Sequence, residues 1–254
     1  MNWKISIFLF FVISAGNAQV VIEEIHDTNS IDKEVYVFPK IKYHHQAVAD
    51  SINHFLLFNF LEIENGKFQK SIFENVWLKD TNQVIARISH ISYEVLNNSK
   101  NLLSIMISAE FCGAYCEGFD MYYNFDLRTG KSITIHQLLS KEGIELFNDN
   151  LKHNLYERLD STLIKVRQEL SLVNNDEAKE ELDDKIEFIK NCFYRENPPT
   201  IDHPFYLNKH EIVFILSTCS SHLNRSLDDG DYIFHYTIAD KHNCFTHFAL
   251  KLIK

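Results

Sequence analysis

The chain has 254 residues, with 35 acidic against 25 basic side chains. The resulting formal net charge of −10 argues against sequence-independent nucleic-acid binding, which relies on lysine and arginine neutralising phosphates. Glycine and proline are scarce, at 7 and 4, which excludes collagen-like and long low-complexity segments and leaves compact α+β material.

The first eighteen residues read as a removable secretory signal. Lys4 supplies the positive start, Ile5 to Ile13 is apolar save for Ser6, and Ser14-Ala15-Gly16-Asn17-Ala18 ends in the small residues that a signal peptidase needs. The run is shorter than the ~20 residues of a membrane span, so cleavage after Ala18 and release into the periplasm or the exterior is the expectation, with no membrane anchor. Of 254 residues 236 then remain, and because Lys4 is the only charged side chain removed, the charge moves from −10 to −11. That charge fits a solubilising surface and also favours a cationic partner by electrostatic steering.

In chain order, Glu34 to Lys42 alternates apolar and polar side chains around Pro39, the pattern of a half-buried edge strand opening the fold. Val48, Ile52, Phe55 and Ile63, with Leu56 and Phe60 beside them, make His45 to Ile63 an amphipathic helix on or beside which His44, His45 and His54 ride. Val84 to Leu96, Leu102 to Phe111 and Phe119 to Leu127 read as three strands joined by two antiparallel connections, with turns at Asn97 to Asn101 and at Arg128 to Lys131, where Gly130 suits a positive φ. The period then changes. Ile144, Phe147, Leu151, Leu155, Leu159, Leu163, Val166 and Leu170 form one helical stripe, and Ala178, Leu182, Ile186, Ile189 and Phe193 a second. Together they predict a helical hairpin over about 143–193, its second arm capped by Asn174 with Glu177, its acidic run Glu177 to Glu187 a solvated face. After Pro198-Pro199, strand composition returns at Tyr206, Ile212 to Ser217, Tyr232 to Ile238 and Phe245 to Ile253. The expected fold is α+β: a mostly antiparallel sheet with an N-terminal amphipathic helix and a long helical hairpin inserted before the closing strands. Residues 19–111 and 112–254 are the expected subdomains.

Five cysteines, Cys112, Cys116, Cys192, Cys219 and Cys244, sit in a chain bound for an oxidising compartment, and spacing does not select among their pairings. Cys112 and Cys116 also resemble half of a zinc site, but no second cluster at ligand spacing accompanies them, so neither metal nor cofactor is expected. No Gly-x-Ser-x-Gly turn, His-Glu-x-x-His helix or phosphate-cradling glycine loop occurs. Glu94 and Glu110 are a carboxylate pair of the type used in hydrolysis, and Asp228-Asp229-Gly230-Asp231 offers hard oxygen ligands without the further spaced acid of a calcium loop.

Tyr36-x-Phe-Pro39, Ile52-Asn53, Ile91-Ser-Tyr93, Leu103-Ser104, a Gly-Ala-containing loop, Asn124-Phe-Asp-Leu-Arg-Thr-Gly-Lys131 and Ile133-Thr-Ile-His-Gln-Leu-Leu139 follow one another along the chain. Phe205-Tyr-Leu, Glu211-Ile-Val-Phe214 and Gly230-Asp-Tyr-Ile-Phe-His-Tyr-Thr-Ile238 continue the series. This order resembles the paired extracytoplasmic domains of unknown function found in the ectodomain of a lysozyme-sensing anti-sigma factor and in the N-terminal region of some peptidoglycan deacetylases. The resemblance implies a secreted binding module without catalytic residues. Transmembrane, sigma-binding and deacetylase regions are not found in this sequence, so signalling and deacetylation do not carry over. Where relatives often have Gly-Ala-His, this chain has Gly113-Ala114-Tyr115 between two cysteines. Loop contacts of those relatives therefore do not carry over, and Cys112, Gly113, Ala114, Tyr115, Cys116, Glu117 and Gly118 stand as the candidate partner-binding loop of this chain itself. The reading is of an exported non-enzymatic protein recognising or inhibiting a cationic cell-wall hydrolase or similar effector. The alternatives are an enzyme acting on cell-wall glycan or peptide, and a structural envelope protein.

Overall fold

The computed structural model describes residues 20–27, 35–64, 66–80, 83–219 and 231–253, with the side chains of 35 and 77–87 left aside. The signal segment and Asp228 to Gly230 lie outside these residues. The chain runs β1 (Val21–Asp27), β2 (Val35–Lys42), α1 (Gln46–Leu61), β3 (Trp77–Asp80), β4 (Gln83–Asn98), β5 (Leu102–Cys112), β6 (Cys116–Asp126) and β7 (Lys131–Ser132). Then follow α2 (Ile135–Leu138), α3 (Lys141–Leu172), α4 (Asp176–Lys190), a 3-10 turn (Phe193–Arg195), β8 (Phe205–Leu207), β9 (Glu211–Leu216), β10 (Tyr232–Thr237), a second 3-10 segment (Ala239–Cys244) and α5 (His247–Leu252). The architecture is α+β, as expected.

Among the described residues seven strands form one sheet in the order β1-β2-β4-β5-β6-β7, with β3 also paired to β4, and three form a second sheet, β10-β9-β8. Only β2 and β4 run parallel, at Val35 and Tyr36 against His90 and Ile91. The β4-β5-β6 meander confirms the two antiparallel connections read from the sequence.

The opening of the fold differs from the expectation. β1 precedes β2 and pairs with it from Val21↔Lys42 to Asp27↔Tyr36, so β2 is an inner strand rather than an opening edge. Pro39 is tolerated because β4 parts from β2 after Tyr36. In place of a strand, the Asn53 side chain serves the vacated side: Ile41 N–H donates to Asn53 Oδ1 at 2.7 Å and Asn53 Nδ2 donates to Ile41 O at 2.9 Å. Ile41 and Pro39 share a parity, so the proline lacks its N–H on the side where no strand would accept it.

α1 lays Val48, Ala49, Ile52, Leu56 and Leu61 on one face of the large sheet against Phe38, Ile91, Ile105, Ile107 and Phe125. Ile52 and Leu56 are wholly buried, each contributing about 1.5–3 kcal/mol of hydrophobic stabilisation. A second core joins Phe147, Leu151, Leu155 and Leu159 of α3 to Ile186 and Ile189 of α4, the small sheet and α5. The helical hairpin is thus present, its stripe at four-residue steps facing the second core. Its second arm is capped by Asn175 rather than Asn174: Asn175 Oδ1 accepts from Glu177 N–H at 3.1 Å, an Asx geometry two residues ahead rather than three. Phe245 to Ile253, expected as a strand, is a further correction. Phe245 bridges Leu139, Thr246 caps by accepting from Ala249 N–H, and α5 follows, burying Ala249 and Leu252. The three- and four-residue spacing of Phe245, Phe248, Ala249 and Leu252 is the helical signal that strand composition masked.

Two disulfides, Cys112–Cys116 and Cys192–Cys219, are formed, with Cys244 as a free thiol. The first lies at the tip of the β5–β6 hairpin, where the subdomain division at 111/112 was expected and where both strands belong to one sheet. The second ties the segment after α4 to the strand end after β9.

Candidate functional site

The meander turns its two faces to different tasks. One packs on α1. The other carries Ser92 and His90 of β4, Ser104, Met106, Ser108 and Glu110 of β5, and Gly118, Asp120, Tyr122 and Asn124 of β6, set opposite one another by the pairings Ser104↔Asn124, Met106↔Tyr122, Ser108↔Asp120 and Glu110↔Gly118. The small sheet covers one end of this face. There Asn124, buried in β6, accepts from Ser104 Oγ at 2.8 Å and Leu207 N–H at 2.9 Å and donates to Phe205 O at 3.0 Å, while Tyr122 stacks on Tyr206 at 5.7 Å.

Toward the hairpin tip the two sheets diverge and leave a groove of about 820 Å³. Its acidic lining is Glu110 from β5, Glu117 and Asp120 from β6, and Asp231 ahead of β10. Tyr122 from β6, Phe193 from the 3-10 turn and Ile215 from β9 add apolar surface, while Phe119, whose ring meets Phe60 of α1 at 6.2 Å, only borders it. Among the described residues lining it there is no lysine or arginine. Phe119 and Phe193 remain substantially exposed at its margin, and Tyr115 stands out from the hairpin tip, 55% exposed. Glu110 is held in place by Ser89, whose hydroxyl donates to Glu110 Oε2 at 2.5 Å.

Of the candidate loop, Glu117 and Gly118 line the groove itself. Cys112 and Cys116 face one another across the last rung of the hairpin, and Gly113 N–H donates to Tyr115 O at 3.0 Å, which closes the turn. The sulfurs of the supposed zinc half-site lie near Glu110, but joined as a disulfide they are not thiolate ligands. Glu94 and Glu110 share the groove face, with Glu94 opposite Met106. Four residues therefore separate their levels, roughly 13 Å along the strands, beyond the about 5–10 Å of a glycosidase pair. His44 and His45 cluster with Tyr43 at the start of α1, which packs on the opposite face.

His203 also lines the groove. Burial pushes its imidazole below the usual histidine range, the neighbouring Asp202 acting in the opposite sense, and its ring meets Tyr194 edge-on at 5.7 Å. The neutral ring adds no positive charge to the groove at neutral pH. Tyr122 is likewise neutral, its phenol raised to about 12 by burial and then by the Asp120 charge. Because the folded-state pKa of His203 is depressed, its contribution to stability is complete above the unfolded value near 6.5 and is lost as pH falls. Urea midpoints measured at pH 7.5 and pH 5 are expected to fall between the two values, and to fall less in His203→Gln; equal drops would remove this assignment.

The signals for this site were present but dispersed. Ser108, Glu110 and Asp120 lie at polar positions of alternating strands and Asp231 just ahead of one, and such positions read as ordinary solvent face until a second sheet is placed over them.

No protein-family model matches the sequence, and no curated protein matches it. Solved structures do. The chain is similar to a member of the DUF3298 family from Bacteroides fragilis, with a TM-score of 0.54 and 14% identity over 93% of this chain and 96% of that one. It is also similar to a DUF3298 family protein from Pseudomonas aeruginosa, with a TM-score of 0.52 and 12% identity over 90% and 93% of the respective chains. At these identities the likeness establishes the fold: this protein has the architecture of a domain class of unknown function, over nearly its whole length. Its two disulfides fit an oxidising compartment, and among the described residues no helix is long and apolar enough to cross a membrane.

Proposed function

We propose that the protein is an exported, non-enzymatic binding module, released after cleavage following Ala18, that recognises or inhibits a cationic cell-wall hydrolase or similar secreted effector. The observation carrying this reading is the groove beside the hairpin tip: four carboxylates and several aromatic side chains, with no described cation lining it. Exposed aromatics surrounded by charge of one sign are the composition of a protein-binding surface, the rings supplying contact area and the carboxylates steering an oppositely charged partner. The groove sits against Glu117 and Gly118 of the candidate loop.

The test is titration of residues 19–254 with a lysozyme-type cationic hydrolase at about 0.02 M and about 0.3 M salt, concentrations that move the screening length across the groove. Binding at low salt, weakened by salt and reduced about tenfold or more in a Glu110→Gln/Glu117→Gln/Asp120→Asn variant, is expected. Lack of any complex at low salt overturns the proposal. Turnover of purified peptidoglycan abolished by a single carboxylate substitution would establish the enzymatic alternative instead.

A further inference from the structure

The groove is bordered by a strand edge that is open along most of its length. β6 pairs with β5 without a register shift from Cys116 to Asp126, yet on its other side it meets β7 only at Phe125 and Asp126. Asn124 O accepts from Ile133 N–H, so Asn124 turns its backbone groups outward, away from β5. By strand alternation Tyr122, Asp120 and Gly118 do the same, while Met121, Phe119 and Glu117 turn theirs toward β5. Among the described residues no hydrogen bond reaches the outward groups of Gly118, Asp120 or Tyr122. Open edges of this length are ordinarily blunted by lysine, proline or a bulge. Cys116-Glu-Gly-Phe-Asp-Met-Tyr122 has none of these, only carboxylates.

Resting on the binding role proposed above, we propose that the partner is held as an added strand: an extended basic segment pairing antiparallel or parallel with the outer edge of β6 at Gly118, Asp120 and Tyr122. Charge selects this occupant over a second copy of the chain. Two β6 edges brought together would set Glu117 and Asp120 against like charges, which is destabilising across a strand pair. A segment with lysine or arginine at alternate positions places them beside Asp120 and Glu110 on the groove side. Its intervening apolar residues meet the side of Phe119, which is itself 38% exposed. Main-chain hydrogen bonds hold such a ligand and the alternating side chains select it.

The test uses a synthetic peptide of alternating lysine and valine with residues 19–254, read by amide hydrogen exchange and by two substitutions at one position. Saturation with peptide is expected to slow the amides of Gly118 and Asp120, which exchange freely without it, while Phe119 and Met121 are slow in both states. Gly118→Pro removes an outward N–H that bonds nothing among the described residues, and is expected to weaken binding about tenfold or more relative to Gly118→Ala. A Cβ at this position meets only Ala109 O, at 3.9 Å, so the alanine variant fits and keeps the N–H. Absence of peptide binding, binding that leaves the Gly118 and Asp120 amides fast, or equal affinity of the two variants overturns strand addition. If the cationic hydrolase binds without slowing these amides, the binding role stands and this mode fails. If the peptide slows them and the hydrolase does not bind, the edge is confirmed and the hydrolase reading fails.

Discussion

Asn124→Ala is expected to lower the stability of the folded protein by about 4 kcal/mol, against a total of roughly 5–15 kcal/mol for a globular domain. Asn124 is 3% exposed, and each polar atom of its amide is engaged: Ser104 Oγ and Leu207 N–H donate to its oxygen, and its nitrogen donates to Phe205 O. Alanine removes these partners together and strands a buried N–H and C=O on β8 and a hydroxyl on β5. Each unsatisfied group costs roughly 1–3 kcal/mol, and three such losses do not sum in full because the interface relaxes. Ser104→Ala removes one bond and is expected to cost about 1 kcal/mol. Urea unfolding of both single variants and the double variant checks this, with a coupling energy between the two positions as the expected signature. Because Asn124 joins the small sheet to the large one, its loss should also separate the unfolding of the two cores into distinguishable steps. A loss under about 1.5 kcal/mol with a single unbroken transition would show that the two sheets are held together elsewhere.

The same residue explains what the sequence signature means. Asn124-Phe-Asp-Leu-Arg-Thr-Gly-Lys131 is the most specific part of the extracytoplasmic resemblance, and its side chains are committed to architecture. Asn124 joins two sheets. Asp126 accepts from Arg128 through N–H, Nε and a terminal guanidinium nitrogen at 2.8–3.0 Å, which shapes the turn and raises the Arg128 pKa. Gly130 takes φ +74° as the turn chemistry required, with its backbone so close to α1 that a Cβ would stand 2.8 Å from Val48 O. In this chain the run serves the fold and leaves the ligand open.

Legibility followed the range of the determining contacts. Periodicity exposed α1, the meander and the helical hairpin, since each rests on neighbours three, four or two residues apart. The turn into the helix at His247–Leu252 and the inner position of β2 depended on partners far away, Leu139 for Phe245, and β1 and Asn53 for β2, whereas the cap of the hairpin's second arm was local and missed by one residue. Pairing of the cysteines was open for the same reason, because Cys192 and Cys219 meet only once α4 and β9 are packed. The groove was hardest to see. Glu117 and Gly118 were found through the loop that carries them, whereas Glu110, Asp120, His203 and Asp231 come from four separate stretches that only the divergence of two sheets brings to one wall.

Gly143→Ala separates long-range from local determinants by the sign of its effect. Gly143 lies in the first turn of α3, where alanine is the better helix former by up to about 1 kcal/mol, so a local reading expects stabilisation. Tertiary geometry expects the reverse. A Cβ at Gly143 would meet the Cys244 carbonyl oxygen far inside contact distance, with Cys244 C and Cα at 3.0 and 3.1 Å. These are backbone atoms that cannot rotate away. Their position is fixed from several sides, since Ser140 N–H donates to Cys244 O at 2.8 Å, Thr246 N–H donates to Leu138 O at 2.8 Å and Thr246 Oγ1 donates to Gln137 O at 2.7 Å. Relieving the overlap therefore pulls the start of α3 from the segment leading into α5 and opens the second core beside Phe147 and Phe245, whose rings meet at 5.9 Å. A net loss of about 3–4 kcal/mol is expected, the overpacking cost exceeding the gain in helix propensity. For a chain of this size that corresponds to a fall of roughly 10 °C in Tm. Thermal unfolding of Gly143→Ala with both disulfides intact checks it. An unchanged or raised Tm would show that α3 moves freely over Cys244, and the close approach would then have no part in holding the C-terminal helix in place.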